Sequence, residues 1–243
     1  METEPLRILW RLAFGDPTEW INCFFSTAYA PERCRFLTSA GRVTAALYWL
    51  DGFCGGQKLA YLYAIATHPD FRGRGLCRTL MADTHTLLAQ QGYSGTLLLP
   101  AGEGLRQMYR KMGYETCCHI SEFSCTAAAS VPLRPVDASE YARLRRSFLP
   151  RHGVLQEGEA LAFLSTFAQT YAGKDFLLAA VSDETGFHGL ELLGNQDAAP
   201  GILAALGHAE GIFRVPGNDL PFAMFRPLTP DAEAPEYFGL AFD

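Results

Sequence analysis

The sequence predicts an α/β (α+β) fold with mixed sheets, in two halves that share one order of elements. Three observations predict it. Apolar residues recur at helical spacing in some segments and form alternating or continuous apolar runs in others, so helices and strands follow one another along the chain. The segment 58–67 is apolar on both faces, as expected of a strand in the middle of a covered sheet. Beyond residue 131 the pattern of helices and strands starts again.

The first half is predicted to begin with two helices and to continue with three strands. Leu6, Leu9 and Trp10 stand at helical spacing, and Gly15 ends that run. Glycine-containing turns separate the three strands, and two further helices are each ended by a glycine. The predicted helices are 5–14, 18–29, 77–91 and 103–112, and the predicted strands are 34–39, 43–50, 58–67, 96–99 and 116–125.

The second half is predicted to follow a short linker at 126–130, which is rich in alanine. The predicted domains are therefore 1–126 and 131–243. Apolar positions at helical spacing and short apolar runs again alternate in this half. Its predicted helices are 138–148, 157–171 and 200–206, and its predicted strands are 176–182, 187–193, 211–215, 222–225 and 237–242.

The composition is that of a globular protein. Of 243 residues, 49% are hydrophobic and 19% are charged, and the formal net charge of −6 argues against a nucleic-acid partner. No apolar stretch reaches the ~20 residues that cross a bilayer, and no signal-peptide pattern is recognised, so we expect a cytoplasmic protein without a membrane partner. The seven cysteines contain no C-x-x-C pair, and the histidines lack metal-ligand spacing; we therefore expect no metal.

The segment 64–81 carries the strongest chemical signal. It combines an apolar strand, a Pro-Asp turn, an Arg/Gly loop and the start of an amphipathic helix. Gly73 and Gly75 let bare backbone approach a ligand, and Arg72 and Arg74 add cationic donors. A helix N-terminus preceded by such a loop is suited to a phosphate or pyrophosphate. The loop lacks the Gly-Lys-Ser/Thr of a P-loop and the G-x-G-x-x-G of a Rossmann fingerprint.

This loop resembles the pyrophosphate loop of the GNAT superfamily of acyl-CoA N-acyltransferases, R/Q-x-x-G-x-G/A. Arg72 and Gly75 match the pattern, while Cys77 stands where Gly or Ala is usual. The resemblance implies a mixed-sheet GNAT fold and acetyl-CoA as the co-substrate. The strand before the loop is implied to pair with the pantetheine arm and to polarise the thioester carbonyl, and the loop is implied to hold the pyrophosphate. The implied cofactor-binding residues are Ile65, Ala66, Thr67, Arg72, Gly73, Arg74, Gly75, Leu76, Cys77 and Arg78.

A second segment, 108–114, resembles the GNAT pattern L-Y-x-x-x-G-F/Y. The resemblance implies that Tyr109 faces the thioester sulfur and protonates the departing CoA thiolate, as a phenol within ~3 Å of the sulfur is able to do. The alternative is that Tyr109 only fills the core between Leu105 and Met112. Tyr114 is expected to have a packing role.

The whole chain is similar to the tandem-GNAT, enhanced-intracellular-survival-like acetyltransferases, without their sterol-carrier-like third domain. The second half is predicted to be a degenerate GNAT-like domain, because residues 194–200 lack an arginine and contain Asp197 where the phosphate loop is expected. The likeness implies that the terminal carboxylate of Asp243 serves as the amine's base. Glu103, Glu115, His68 and ordered water remain alternatives for that role. The segments that carry the likeness are 10–16, 67–69 and 237–243.

The predicted function is transfer of an acetyl group from acetyl-CoA to the amine of a small-molecule acceptor, by direct attack in a ternary complex. The acidic net charge is compatible with a cationic acceptor. The alternative is an acyl-CoA-binding sensor or scaffold that has lost turnover. The acceptor, the acyl group and the formation of a homo-oligomer are left open by the sequence.

Overall fold

The computed structural model describes residues 3–242, and its contacts divide the chain into two compact units. One unit comprises the chain up to Glu115 together with Met224–Ala234, and the other comprises Thr116–Ala223 together with the chain from Pro235 onwards. The limits of these units differ from a division at 126–131, because residues 119–126 pair with strands of the second unit and one late segment returns to the first unit. The assignment of 1–126 and 131–243 as domains stays a prediction.

Helices and strands follow one another through both units. The α-helices are α1 (Glu4–Phe14), α2 (Thr18–Thr27), α3 (Leu76–Gln90), α4 (Glu103–Arg110), α5 (Ala138–Phe148), α6 (Glu159–Leu164) and α7 (Ala199–Leu206). The strands are β1 (Cys34–Ser39), β2 (Arg42–Cys54), β3 (Gln57–Thr67), β4 (Gly95–Leu98), β5 (Glu115–Thr116), β6 (His119–Thr126), β7 (Leu133–Pro135), β8 (Leu155–Gln156), β9 (Gln169–Gly173), β10 (Phe176–Asp183), β11 (Gly186–Gly194), β12 (Glu210–Pro216), β13 (Leu220–Pro221) and β14 (Met224–Pro227). Within residues 3–242, no helix is both long and apolar enough to cross a membrane.

The sheet of the first unit runs in the order β1-β2-β3-β4-β14. Its pairings are antiparallel except for the parallel pair β3–β4. Both faces are covered, which explains the continuous apolar run of β2. Leu47 and Trp49 belong to a core cluster shared with α3 and α4, while Tyr48 packs against Trp10 of α1 and Phe24 of α2 with ring centroids 5.3 and 5.2 Å apart.

The sheet of the second unit runs in the order β13-β6-β12-β11-β10-β9-β7, and β11–β12 is its parallel pair. Its core contains apolar side chains from β10, β11, β12 and α7. Two mixed sheets with intervening helices confirm the predicted α/β (α+β) class and the second half of similar make-up. The larger core side chains are Phe176, Leu178, Phe187, Leu192, Ile202, Leu203 and Phe213.

A buried ion pair lies in the second unit and is fully hydrogen-bonded. Arg145 and Glu191 are both 0% exposed, and two nitrogen–oxygen contacts of 2.7 and 2.9 Å join them. The third guanidinium nitrogen donates to the Val154 carbonyl at 3.0 Å. The hydroxyls of Tyr141 and Tyr237 each donate to the carboxylate at 3.0 Å. The network therefore holds the C-terminal segment, through Tyr237, to the core of this unit.

Two predicted elements of the second half are wrong. The helix predicted at 157–171 ends at Leu164, and Gln169–Gly173 instead forms strand β9 beside β10. The segment predicted as a strand at 237–242 makes only one isolated bridge, between Tyr237 and Gly153. Its apolar side chains are buried by packing, as where Phe242 contacts the ring of Phe163 at 5.4 Å. Side-chain burial, and not pairing in a sheet, accounts for the apolar pattern there.

Candidate active site

A tight loop connects β3 to α3 in the first unit. A 3-10 turn at Pro69–Phe71 follows the strand, and the His68 Nδ1 atom accepts a hydrogen bond from the Asp70 N–H at 3.2 Å. Gly73 and Gly75 have φ values of +75° and +79°, which is left-handed backbone that other residues adopt at a cost. Gly75 is the N-cap of α3 and supplies no side chain to the helix end. The first-turn N–H groups of α3 are therefore left for another partner.

The loop is electropositive. Arg72, Arg74 and Arg78 are exposed, and among residues 3–242 none of them is within salt-bridge distance of a carboxylate. Arg72 Nε instead donates to the Thr67 carbonyl at the end of β3, at 3.3 Å, and Arg74 Nη2 donates to the Asp70 carbonyl in the loop, at 3.0 Å. The first turn of α3 contains no acidic residue, so nothing there opposes the positive end of the helix dipole. This arrangement suits a doubly charged phosphate or pyrophosphate group.

The strand before the loop carries a β-bulge. The pairing of β2 with β3 shifts between Ala46 and Tyr48, and Ala64 opposite this shift has a φ of +47°. Beyond the bulge, His68 N donates to Thr44 O at 2.9 Å, so alternation turns the main-chain groups of Ile65 and Thr67 away from β2.

On that other side, β4 pairs with β3 only along residues 59–61. Residues 65–67 lie beyond this pairing, because β3 continues to Thr67 after its paired stretch with the parallel strand β4 has ended. The main-chain groups of Ile65 and the N–H of Thr67 are therefore positioned to pair with an extended ligand, while the main-chain groups of Ala66 face β2. Ile65, Ala66 and Thr67, the residues predicted for the pantetheine arm, occupy this stretch.

Tyr109 lies on α4 and is 6% exposed. It belongs to the same apolar cluster as Ile65 of β3 and Leu76 and Cys77 of α3. The structure therefore brings the predicted strand, loop and tyrosine together in one unit. Burial raises the pKa of Tyr109 above its ordinary value. Among residues 3–242, none forms a hydrogen bond with the Tyr109 hydroxyl.

Cys77 occupies the position at which the family pattern has Gly or Ala. The residue is partly buried, and its Sγ atom lies 3.8 Å from the Met81 sulfur one turn further along α3. Burial raises the pKa of the Cys77 thiol, which keeps it neutral. Cys77 therefore acts as a small apolar residue facing the core and presents no charge beside Tyr109.

The candidate bases have different surroundings. Asp243 lies outside the described residues, so its position is not assigned. His68 caps the turn through Asp70, and Glu103 contacts Arg110 at 3.3 Å at the start of α4. Glu115 is exposed. None of the described carboxylates or imidazoles among these candidates is hydrogen-bonded to Tyr109. Within residues 3–242, no three His, Cys, Asp or Glu side chains converge as a metal site.

Sequence reasoning missed two polar residues that contact Tyr114, whose ring packs against Tyr109. His85 of α3 and Thr96 of β4 both hydrogen-bond the hydroxyl of Tyr114 at 2.8 Å. His85 is buried, with 5% of its surface exposed. Twenty-nine residues separate His85 from Tyr114. The sequence holds no motif that joins them, and their contact emerges only from the fold.

Comparison with family models gives one match. Residues 2–117 match the model described as an acetyltransferase (GNAT) domain. This match includes the bulged strand, the loop and Tyr109. Comparison with curated protein sequences finds no match. GNAT acetyltransferases use acetyl-CoA as the acyl donor.

Solved structures with the same architecture cover nearly the whole chain. A GCN5-related N-acetyltransferase from Kribbella flavida is 18% identical, with a TM-score of 0.71 over 92% of this chain and 68% of that chain. Eis1 from Mycobacterium abscessus is 14% identical, with a TM-score of 0.69 over 94% and 72%. A tandem GNAT protein from the clavulanic acid biosynthesis pathway is 12% identical, with a TM-score of 0.56 over 95% and 96%.

At these identities the structural likeness shows a shared fold alone, and the family match applies to residues 2–117. The tandem arrangement fits the two mixed sheets, whereas the specific enhanced-intracellular-survival-like type stays a prediction. Residues 2–117 thus match a GNAT acetyltransferase domain, and the chain shares its fold with solved structures of GNAT proteins, a tandem GNAT protein among them.

Proposed function

We propose that this protein is an acetyl-CoA-dependent N-acetyltransferase that acetylates a primary amine of a small-molecule acceptor by direct attack in a ternary complex. One observation supports this most strongly. The electropositive glycine loop, the bulged strand and the buried Tyr109 meet around one apolar cluster of the first unit. A phosphate cradle, a strand to pair with an extended arm and an acid for a thiolate are what this reaction needs.

In the proposed complex, the pyrophosphate of CoA binds at residues 72–78 and its pantetheine arm pairs with residues 65–67. The arginines Arg72, Arg74 and Arg78 balance the phosphate charge, and Gly73 and Gly75 let the main chain approach. The remaining members of the cofactor set, Leu76 and Cys77, contribute main-chain N–H groups at the helix start.

The proposed reaction forms one bond and breaks one. The acceptor nitrogen attacks the thioester carbonyl, the C–N bond forms, and the C–S bond breaks as the CoA thiolate departs. A main-chain N–H of residues 65–67 stabilises the charge on the carbonyl oxygen. Tyr109, which burial keeps in the neutral phenol form, gives its proton to the thiolate and regains a proton from water before the next turnover. We assign the removal of the amine proton to Asp243 or to water.

Replacing Tyr109 with phenylalanine tests this proposal. Tyr109→Phe removes the acid and keeps the ring, so kcat is expected to fall about tenfold or more while CoA affinity stays unchanged. The measurement is thiol release from acetyl-CoA with a panel of polyamines, aminoglycosides and peptide amines, together with calorimetry of CoA binding. Tyr171→Phe in the second unit is the control and is expected to retain the parental rate.

Two outcomes would contradict the proposal. Equal kcat in the parent and Tyr109→Phe would remove the tyrosine from the reaction. CoA binding without thiol release, for every amine in the panel, would favour the alternative of an acyl-CoA sensor that does not turn over.

A further inference from the structure

A buried hydrogen-bond network lies directly behind the proposed acid. The Tyr114 hydroxyl is 2.8 Å from His85 Nε2 and 2.8 Å from Thr96 Oγ1. The three side chains are 1%, 5% and 0% exposed, and they come from three different parts of the first unit: the turn after α4, the middle of α3, and β4. Since buried hydroxyls need partners, these two hydrogen bonds fix the ring of Tyr114 against α3 and β4.

Tyr114 is joined to Tyr109 in two ways. Its N–H donates to the Tyr109 carbonyl at 3.1 Å, which closes the turn at the end of α4. Its ring meets the Tyr109 ring edge-on, with centroids 5.9 Å apart and an interplanar angle of 64°. The same turn is held from β14, where the Arg226 guanidinium hydrogen-bonds the Met112 carbonyl. The last turn of α4 therefore has anchors outside its own helix.

The Tyr109 hydroxyl lacks such an anchor among residues 3–242. Its position depends on the packing of its ring, and Tyr114 forms one side of that packing. Proton transfer demands close placement of the donor atom, because a displacement of about 1 Å in an active site costs on the order of 100-fold in rate. The placement of the Tyr109 hydroxyl therefore depends on the Tyr114 ring that packs against the Tyr109 ring.

The network also contains a buried polar side chain, His85, at a position where an apolar side chain would need no hydrogen-bond partner. His85 Nδ1 is buried and has no hydrogen-bond partner among the described residues. Burial and the nearby Arg226 charge lower the pKa of His85 to about 4, so the imidazole is neutral at physiological pH. The ring's single hydrogen bond to a side chain is the one to Tyr114. The buried His85 Nδ1 atom without a partner lowers the stability of the fold, and the hydrogen bond between His85 Nε2 and the Tyr114 hydroxyl offsets that loss.

We infer that Tyr114 is a positioning residue for the reaction, anchored by His85 and Thr96, and that it sets the placement of the Tyr109 hydroxyl. This inference rests on the proposed function of Tyr109 as the acid. Tyr114 touches neither the thioester nor the acceptor in this scheme. The Tyr114 hydroxyl acts only by fixing the Tyr114 ring. That ring in turn fixes the position of the end of α4, which carries Tyr109.

A double-mutant cycle in the full-length protein tests the inference. Tyr114→Phe removes the hydroxyl and keeps the ring, so kcat is expected to fall about tenfold while KM for acetyl-CoA is unchanged. In the Tyr109→Phe background the same substitution is expected to change kcat less than twofold, because it acts through a hydroxyl that is already gone.

Tyr93→Phe is the matched control. Tyr93 is buried in the same apolar cluster, and Asp51 and Trp49 are among the side-chain partners of its hydroxyl. This variant is expected to lose stability as Tyr114→Phe does and to retain the parental kcat. Thr96→Val, which removes one of the two anchors with little change of shape, is the second test and is expected to lower kcat in the same direction.

The outcomes separate the two proposals. If Tyr109→Phe alone loses no activity, the acid is wrong and the positioning role falls with it. If Tyr109→Phe is impaired while Tyr114→Phe and Thr96→Val keep the parental kcat, the positioning role is wrong and the acid stands. Losses that multiply in the double variant would also overturn the positioning role, because they would show independent action.

Discussion

At Tyr109, the surroundings of one hydroxyl decide its protonation. The ring is enclosed by apolar side chains, and no cation lies among the causes that shift its pKa. Burial therefore favours the neutral phenol. A neutral phenol still holds the proton that the CoA thiolate requires, so it can act as an acid, and it is a poor base. The neutral phenol is compatible with the role that the resemblance implies for Tyr109, protonation of the leaving group, and it leaves the amine proton to another group.

His85 makes the stability of the first unit depend on pH. Its pKa is about 4 when folded and 6.5 when exposed, so the unfolded chain binds a proton more readily. The free energy of unfolding is therefore expected to fall as the pH drops from 6.5 towards 4, by about 2 kcal/mol at pH 5 from this residue. Urea denaturation followed by tryptophan fluorescence at pH 7.5 and pH 5 measures it.

His85→Gln is the comparison for that experiment, because its amide does not titrate. All other titrating groups are shared, so the variant is expected to lose about 2 kcal/mol less than the parent between the two pH values. Trp49 lies in the same core cluster as Tyr114 and reports this unit directly. Parallel pH dependences for parent and variant would mean that His85 is protonated as easily folded as unfolded.

At the scale of elements, α3 is bounded by two glycines in left-handed conformation. Gly75 precedes the helix with a φ of +79°, and Gly92 follows it with a φ of +81°. An added Cβ would meet no atom within 4 Å at either position. The two sites are therefore alike in backbone strain and in free space, and they differ only in that Gly75 lies at the proposed phosphate cradle.

This symmetry gives a controlled test of the loop. Gly75→Ala and Gly92→Ala are each expected to destabilise the fold by about 1 kcal/mol through the left-handed backbone. Only Gly75→Ala is expected to weaken CoA binding, by about tenfold or more, because its methyl group fills space that the pyrophosphate needs. Calorimetry with CoA compares them. Equal CoA affinity in the two variants would place the pyrophosphate elsewhere.

The sequence predicted most elements because their signals are local. The strand at Cys34–Ser39 and the helix at Ala138–Phe148 have the predicted limits, and the phosphate loop follows the predicted strand. The helix predicted at 157–171 failed because apolar residues at helical spacing continue past Leu164 into a segment that pairs with β10. Pairing with a distant strand overrides a local pattern, and the pattern gives no sign of it.

The candidate site shows the same limit. The Arg/Gly loop and Tyr109 have recognisable spacings, so the sequence alone singled them out. The contact of His85 with Tyr114 has none, since it depends on how α3 and the turn after α4 pack on one sheet. Tyr114 was accordingly expected only to pack. Its hydroxyl partners become visible when the fold brings distant segments together.

At the scale of the whole molecule, the second unit contains bidentate ion pairs that differ in burial, and two of them make a comparison. Arg145–Glu191 is fully buried, whereas Arg134–Glu140 lies at the surface with contacts of 2.7 and 2.8 Å. Removing one partner of a buried pair leaves an uncompensated charge in the core, while an exposed pair is screened by water. The buried pair also holds Tyr237, so it affects the C-terminal segment.

Glu191→Gln is therefore expected to lower the free energy of unfolding by about 3–5 kcal/mol. Glu140→Gln, the exposed counterpart, is expected to leave the denaturation midpoint nearly unchanged. Far-UV circular dichroism in urea measures both variants, because the tryptophans lie at positions 10, 20 and 49, in the first unit only. Equal shifts for the two variants would show that burial contributes nothing to the difference.

The return of β14 to the first sheet has a consequence for biosynthesis. Met224–Pro227 pairs with β4, and Met224 is buried in the first core, yet these residues leave the ribosome long after Glu115. Nascent chains fold from the N-terminus as they emerge. During translation β4 therefore presents an open edge, a state prone to unwanted pairing. The first sheet and its core therefore become complete only after residues 116–223, most of the second unit, have been synthesised.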